Sequence, residues 1–139
     1  MADDFAAHLA TVPLFARCSS GDLAKIARLS DEIEVESGRQ LMTEGDAGHE
    51  AFVVVEGSAT ISQGGVDVVT IGPGAVFGEM ALIDRVARNA SVTAATPMRL
   101  LVIGQREFSG LLDEAPDFRY SIMAALADRV RQKDLELYG

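Results

Sequence analysis

Cysteine, histidine, proline and basic charge are all scarce in this 139-residue sequence, and these shortages remove whole classes of protein. A single cysteine, Cys18, excludes an intramolecular disulfide framework and any iron–sulfur cluster held wholly by the cysteines of one chain, so a reducing cytoplasm is the expected setting. His8 and His49 lie far apart in sequence, which leaves no histidine cluster for a metal. Both read as surface side chains, and no metal site is expected. Twelve lysines and arginines stand against 21 aspartates and glutamates, for a net charge of −9. Binding to a phosphate backbone depends on clustered basic side chains that release counterions, so direct nucleic-acid binding by this chain is not expected. One small anion is a different matter, because a pocket's local field outweighs distant, screened charge. No apolar run approaches the about 20 residues needed to span a bilayer. The first residues, Met1-Ala2-Asp3-Asp4, are acidic where a secretory signal would be basic, so neither a membrane span nor export is expected.

What remains is a chain 48% hydrophobic with 13 glycines, only four prolines and no low-complexity run. That suits one globular domain with a sizeable core and many tight turns, a β-rich signature. Residues 1–30 read as N-terminal helices: Phe5 and Leu9 share a face, Pro13 interrupts, and Ser19-Ser20-Gly21-Asp22 starts a second helix that buries Leu23, Ile26, Ala27 and Leu29. From Asp31 the period becomes two, with Ile33 and Val35 alternating with Glu32, Glu34 and Glu36. Short strands are then expected at Arg39–Thr43, Ala51–Glu56, Ser58–Ser62, Val66–Ile71, Ser91–Ala94 and Met98–Ile103, with glycines at the corners. So many strands in 31–103 make a roll or sandwich. Over 104–139 the helical period returns in Phe108, Leu111 and Leu112. After Pro116 it continues in Phe118, Ile122, Leu126 and Val130, opposite Asp128, Arg131, Asp134 and Glu136. This last amphipathic helix is expected to pack along the β region or against a second copy of the chain.

The chemistry concentrates in 77–91, Phe77-Gly78-Glu79-Met80-Ala81-Leu82 through Arg85-Val86-Ala87-Arg88-Asn89-Ala90-Ser91, where a glycine, a short helical turn and an arginine-bearing loop interrupt the strands. A helix start near Glu79 presents unpaired N–H groups to an anion, and the fork of Arg88 offers two parallel bonds to phosphate oxygens. A carboxylate beside such a site is unfavourable unless it accepts a hydrogen bond, and a ribose hydroxyl supplies one to Glu79. The spacing alone leaves a plainer alternative equally open: Glu79 complementing a helix dipole and Arg88 a solvated cation.

The segment resembles the phosphate-binding cassette of the cyclic-nucleotide-binding domain family. Phe77 to Leu82 match its Phe-Gly-Glu-x-Ala-Leu, and Arg88-Asn89-Ala90-Ser91 match its Arg-x-Ala-Thr/Ser. Upstream, Gly38 to Ala47 and Phe52-Val53-Val54-Val55-Glu56-Gly57 are similar to the family's first two β-roll stations. The resemblance implies a mainly β fold with flanking helices: an antiparallel β-roll, jelly-roll-like, with N-terminal helices and a C-terminal helix pair, in one domain over 1–139. It implies that Arg88 binds a cyclic phosphate and Glu79 the ribose hydroxyl, with backbone amides of Gly78, Glu79, Met80, Ala81, Asn89 and Ala90 completing the cradle. It also implies a last helix that caps the base, with Arg129, Lys133 and Asp134 as candidates for that contact. The expected ligand is cAMP, with cGMP as the alternative; no other cofactor and no catalysis are implied.

Two departures stand out: Ala87 where the family often has proline, which leaves the loop less preorganised, and Asn89 where guanine-preferring members carry threonine. Output is expected through an effector protein, a further domain or a homodimer formed by the last helix, since no helix-turn-helix follows that helix in these 139 residues. The competing readings are the same fold serving as a protein-interaction scaffold or binding another anion. More distant are a metal-dependent enzyme of related barrel shape and a haem or iron–sulfur sensor, for which the ligands are missing.

Overall fold

A computed structural model of the chain describes Leu9, Phe15, 17–78, Leu82 and 87–138, with the side chains of 125, 128–130 and 132–138 outside that description. In chain order the elements are α1 (Ser20–Leu29), β1 (Asp31–Val35), β2 (Gln40–Met42), β3 (Glu50–Glu56), β4 (Ala59–Gln63), β5 (Val66–Ile71), β6 (Val76–Phe77), β7 (Ser91–Ala94), β8 (Met98–Gly104), α2 (Gln105–Glu114) and α3 (Pro116–Tyr138). The strands form two four-stranded sheets, ordered β1-β8-β3-β6 and β2-β7-β4-β5, and every pairing is antiparallel. This is the mostly antiparallel β-roll with flanking helices that the sequence led us to expect.

Helix α1 starts where the sequence supplies a cap: Ser19 Oγ accepts the Asp22 N–H at 3.1 Å. Leu23, Ile26 and Ala27 are buried as expected, but Leu29 is 43% exposed. At about 100° per residue it falls at the margin of the stripe centred on Leu23 and Ile26, and the helix ends there.

The middle strands show why the chain needs helices at all. Alternate residues of a strand face opposite ways. In β3 and β8, Phe52, Val54, Leu100 and Val102 enter the space between the sheets, while Ala51, Val53, Val55, Leu101 and Ile103 join a second core with α1, α2 and α3. Both faces are covered, so β3 reads as a continuous apolar run where β1 alternates. The second core is closed by Phe118, whose ring lies 5.8 Å from that of Phe15 and 5.6 Å, edge-on, from that of Phe108. Phe118 and Ile122 thereby seat the first turns of α3 on the roll. Among the described residues no helix is long and apolar enough to cross a membrane.

Cys18, partly buried, packs against this second core. Burial first, then the nearby Asp22 carboxylate, push its thiol up to about 11, against a smaller opposing pull from the Ser121 hydroxyl. The thiol should therefore be a poor nucleophile. At pH 8 its alkylation by iodoacetamide should run on the order of 100-fold slower than that of an unperturbed cysteine, and Asp22→Asn should speed it. Alkylation at the ordinary rate would contradict this placement.

Candidate functional site

Phe77 ends β6 opposite Phe52 of β3, and the two rings stack with centroids 4.8 Å apart. This pair anchors the start of the 77–91 segment inside the roll core. Gly78 follows with φ +84°, a backbone conformation that glycine adopts readily and L side chains do not. A Cβ at this position would also lie 2.8 Å from Arg88 Nη1 and 2.9 Å from the Glu50 carbonyl oxygen. Glycine is thus required twice, by conformation and by room.

The room is taken by Arg88. Its Nη1 donates to Gly78 O at 2.7 Å and its Nη2 to Glu50 O at 2.8 Å, so the guanidinium bridges the ends of β6 and β3 just beyond their last paired residues. Its main chain is fixed as well: Arg88 N–H donates to Asp46 O at 2.8 Å and Arg88 O accepts from Gly45 N–H at 2.9 Å. The residue is 8% exposed. That burial separates two readings the sequence leaves open, because a solvated loop cation is not buried and fastened by four backbone bonds. Desolvating a guanidinium is costly, and charge-assisted bonds to carbonyls, about 1.5–3 kcal/mol each, offset part of that cost.

The other expected residues fall into three groups. Gly78, Arg88, Asn89 and Ala90 are brought together: Ala90 is buried in the roll core and Asn89 is exposed, with its carbonyl accepting from Gln63 Nε2 at 3.0 Å. Glu79, Met80 and Ala81 lie outside the described residues, although Leu82 just beyond them is buried in the second core. Arg129, Lys133 and Asp134 belong to α3, but their side chains also lie outside the described residues. Among the described residues no three His, Cys, Asp or Glu side chains gather to hold a metal ion.

Glu50 and Asp46 were not legible as site residues. They contribute carbonyl oxygens, which every residue has, so no side-chain chemistry marks them in a sequence. The only signal is indirect, since the Glu44-Gly45-Asp46 turn belongs to the first of the upstream stations.

Comparison with known proteins gives the site its context. The cyclic nucleotide-binding domain model matches residues 32–115. The chain is 37% identical over 111 residues to the cAMP-dependent protein kinase regulatory subunit of Eremothecium gossypii, a match covering 79% of this chain and 24% of that protein. It is 38% identical over 109 residues to a cyclic nucleotide-gated potassium channel of Mesorhizobium japonicum, covering 78% of this chain and 30% of the channel. The catabolite activator protein of Thermus thermophilus superposes with a TM-score of 0.83 at 28% identity, over 90% of this chain and 61% of that one. The chain therefore spans about a quarter to a third of the length of these two curated relatives. Since the family match runs from Glu32 in β1 to Ala115 after α2 and encloses the Arg88 site, the chain belongs to the cyclic nucleotide-binding domain family.

Proposed function

We propose that residues 1–139 act as one receptor domain that binds a cyclic nucleotide, cAMP in preference to cGMP, and moves α3 when it does. The observation that carries this reading is the buried Arg88 fork, fastened by the carbonyls of Gly78 and Glu50 at the mouth of the 77–91 segment. An arginine held in place before its ligand arrives loses little further entropy on binding. In this reading the cyclic phosphate lies on Arg88 and on the backbone amides of Gly78, Glu79, Met80, Ala81, Asn89 and Ala90. Glu79 accepts a hydrogen bond from the ribose 2′-hydroxyl, and Arg129, Lys133 and Asp134 approach the base from α3. The preference for cAMP draws on the name of the Eremothecium relative, while Asn89 leaves the choice of base open. Binding is the activity, without catalysis, in the cytoplasm, and its output passes to an effector protein, a further domain or a second copy through α3. Nucleotide shifts α3 only as far as it binds one position of the helix more tightly than the other.

A carboxylate that accepts from the ribose has a specific signature. Glu79→Gln should weaken cAMP about 10- to 100-fold, the range for a charge-assisted hydrogen bond, and should leave 2′-deoxy-cAMP nearly unaffected. Parallel titrations of both proteins with both ligands read this directly; equal losses for the two ligands would reject the role given to Glu79. A second reading, the same roll kept as an interaction scaffold without nucleotide, draws on Ala87, exposed and in place of the family's proline. It predicts that the wild-type protein gives no saturable heat with either nucleotide.

A further inference from the structure

The segment bearing Arg88 is tied to two neighbouring turns by exposed side chains that the nucleotide reading does not use. At the end of β4, Gln63 Nε2 donates to Asn89 O at 3.0 Å. Across the gap, Glu44 Oε1 accepts the N–H of Gly64, in the β4–β5 turn, at 3.0 Å, while the N–H of Glu44 donates to Ser91 Oγ at 2.9 Å. With the paired bonds between Gly45, Asp46 and Arg88, these contacts close a triangle. The 88–91 segment is fixed to the β2–β3 loop, the loop to the β4–β5 turn, and the turn back to the segment.

Resting on the reading that a cyclic phosphate binds at Arg88, we propose that Gln63 and Glu44 are positioning residues, which hold the Arg88 segment in register and so set the affinity of the site. The chemistry is directional. Gln63 must donate, since its partner is a carbonyl, and Glu44 must accept, since its partner is an N–H. Exposed bonds of this kind contribute little to global stability, but local opening is governed by the few contacts that hold a segment, and a ligand that needs the segment closed feels each opening as lost affinity.

Directionality makes the test selective. Gln63→Glu removes the donor and sets a carboxylate against Asn89 O; Glu44→Ala removes the acceptor; Glu44→Gln keeps an acceptor oxygen. Amide hydrogen exchange on the ligand-free chain and calorimetric titration with cAMP are measured on the wild type and all three variants. The expected result is faster exchange at the amides of Gly45 and Arg88, by about threefold to tenfold, in Gln63→Glu and Glu44→Ala. Affinity for cAMP should fall over a similar range, with melting shifted by about 2 °C or less. Glu44→Gln should stay within about twofold of wild type on both readouts. Unchanged exchange in Gln63→Glu and Glu44→Ala, faster exchange without loss of affinity, or a Glu44→Gln variant as impaired as Glu44→Ala would overturn the proposal. A wild type that does not bind cAMP would instead overturn the functional reading, while exchange still decides whether the two side chains hold the segment.

Discussion

Replacing Arg88 by alanine is expected to lower affinity for cAMP by about 30-fold to several-thousandfold, the 2–5 kcal/mol typical of removing one partner of a buried charge pair. Two costs act together. The cyclic phosphate loses its only proposed guanidinium, and the carbonyls of Gly78 and Glu50 lose the donors that join the ends of β6 and β3. The second cost is paid without ligand, since two partly buried backbone oxygens each lose a charged donor, so the free protein should be destabilised by about 1–3 kcal/mol. Arg88→Lys separates the two effects. It keeps a charge near the phosphate but replaces the planar fork with a point donor that cannot reach both carbonyls at once, so its binding should fall between wild type and alanine. Calorimetric titration, at a temperature where denaturation curves show each variant folded, measures these differences. An Arg88→Ala protein that binds cAMP like the wild type would remove Arg88 from the site.

The largest effect on stability should come from a position far from any ligand. Gly57, in the turn between β3 and β4, has φ +89°, and a Cβ there would lie 2.3 Å from Pro97 O, 3.0 Å from Met98 Cα and 3.0 Å from Met98 Cγ. Two of these obstacles are main chain at the start of β8, and Met98 is only 3% exposed, so neither side has room to yield. Gly57→Ala should therefore combine about 1–3 kcal/mol of backbone strain with a similar overpacking cost, about 2–6 kcal/mol in all, enough to lower the melting temperature by roughly 10–20 °C near the middle of that range. Gly38 is the matched control. It has the same φ of +89° but nothing within 4 Å of its Cβ position, so Gly38→Ala should show the strain alone, about 1–3 kcal/mol. Thermal denaturation of the two variants side by side distinguishes conformational strain from collision. Equal shifts would show that the contact with Pro97 carries no weight.

Much of the roll was legible because its signals are local. The period of two from Asp31, the valine run of β3 and the glycines at the corners located the strands, with ends differing by a residue or two: β2 is Gln40–Met42 where Arg39–Thr43 was expected, and β8 extends to Gly104. Strand β6 leaves no mark in the sequence because Val76–Phe77 is too short to show any period and is recruited to the sheet by β3. Leu29 reads as part of the buried face with Leu23, Ile26 and Ala27, but it lies at the edge of that face and is exposed. At the site, the sequence singles out Arg88 through the resemblance of 77–91 to the family's phosphate-binding cassette, not through its spacing alone. It left open whether the side chain was buried or solvated, since that depends on the carbonyls of Glu50 and Gly78 meeting across the fold. The side chains of Gln63 and Glu44 likewise gain their meaning only from the turns they join.

The most direct measurement is an isothermal titration of the purified wild-type chain with cAMP. Saturable binding with a dissociation constant in the micromolar range or tighter, at one nucleotide per chain, is expected. No heat from cAMP at concentrations up to the millimolar range, with the protein folded, would contradict it and leave the scaffold reading in its place.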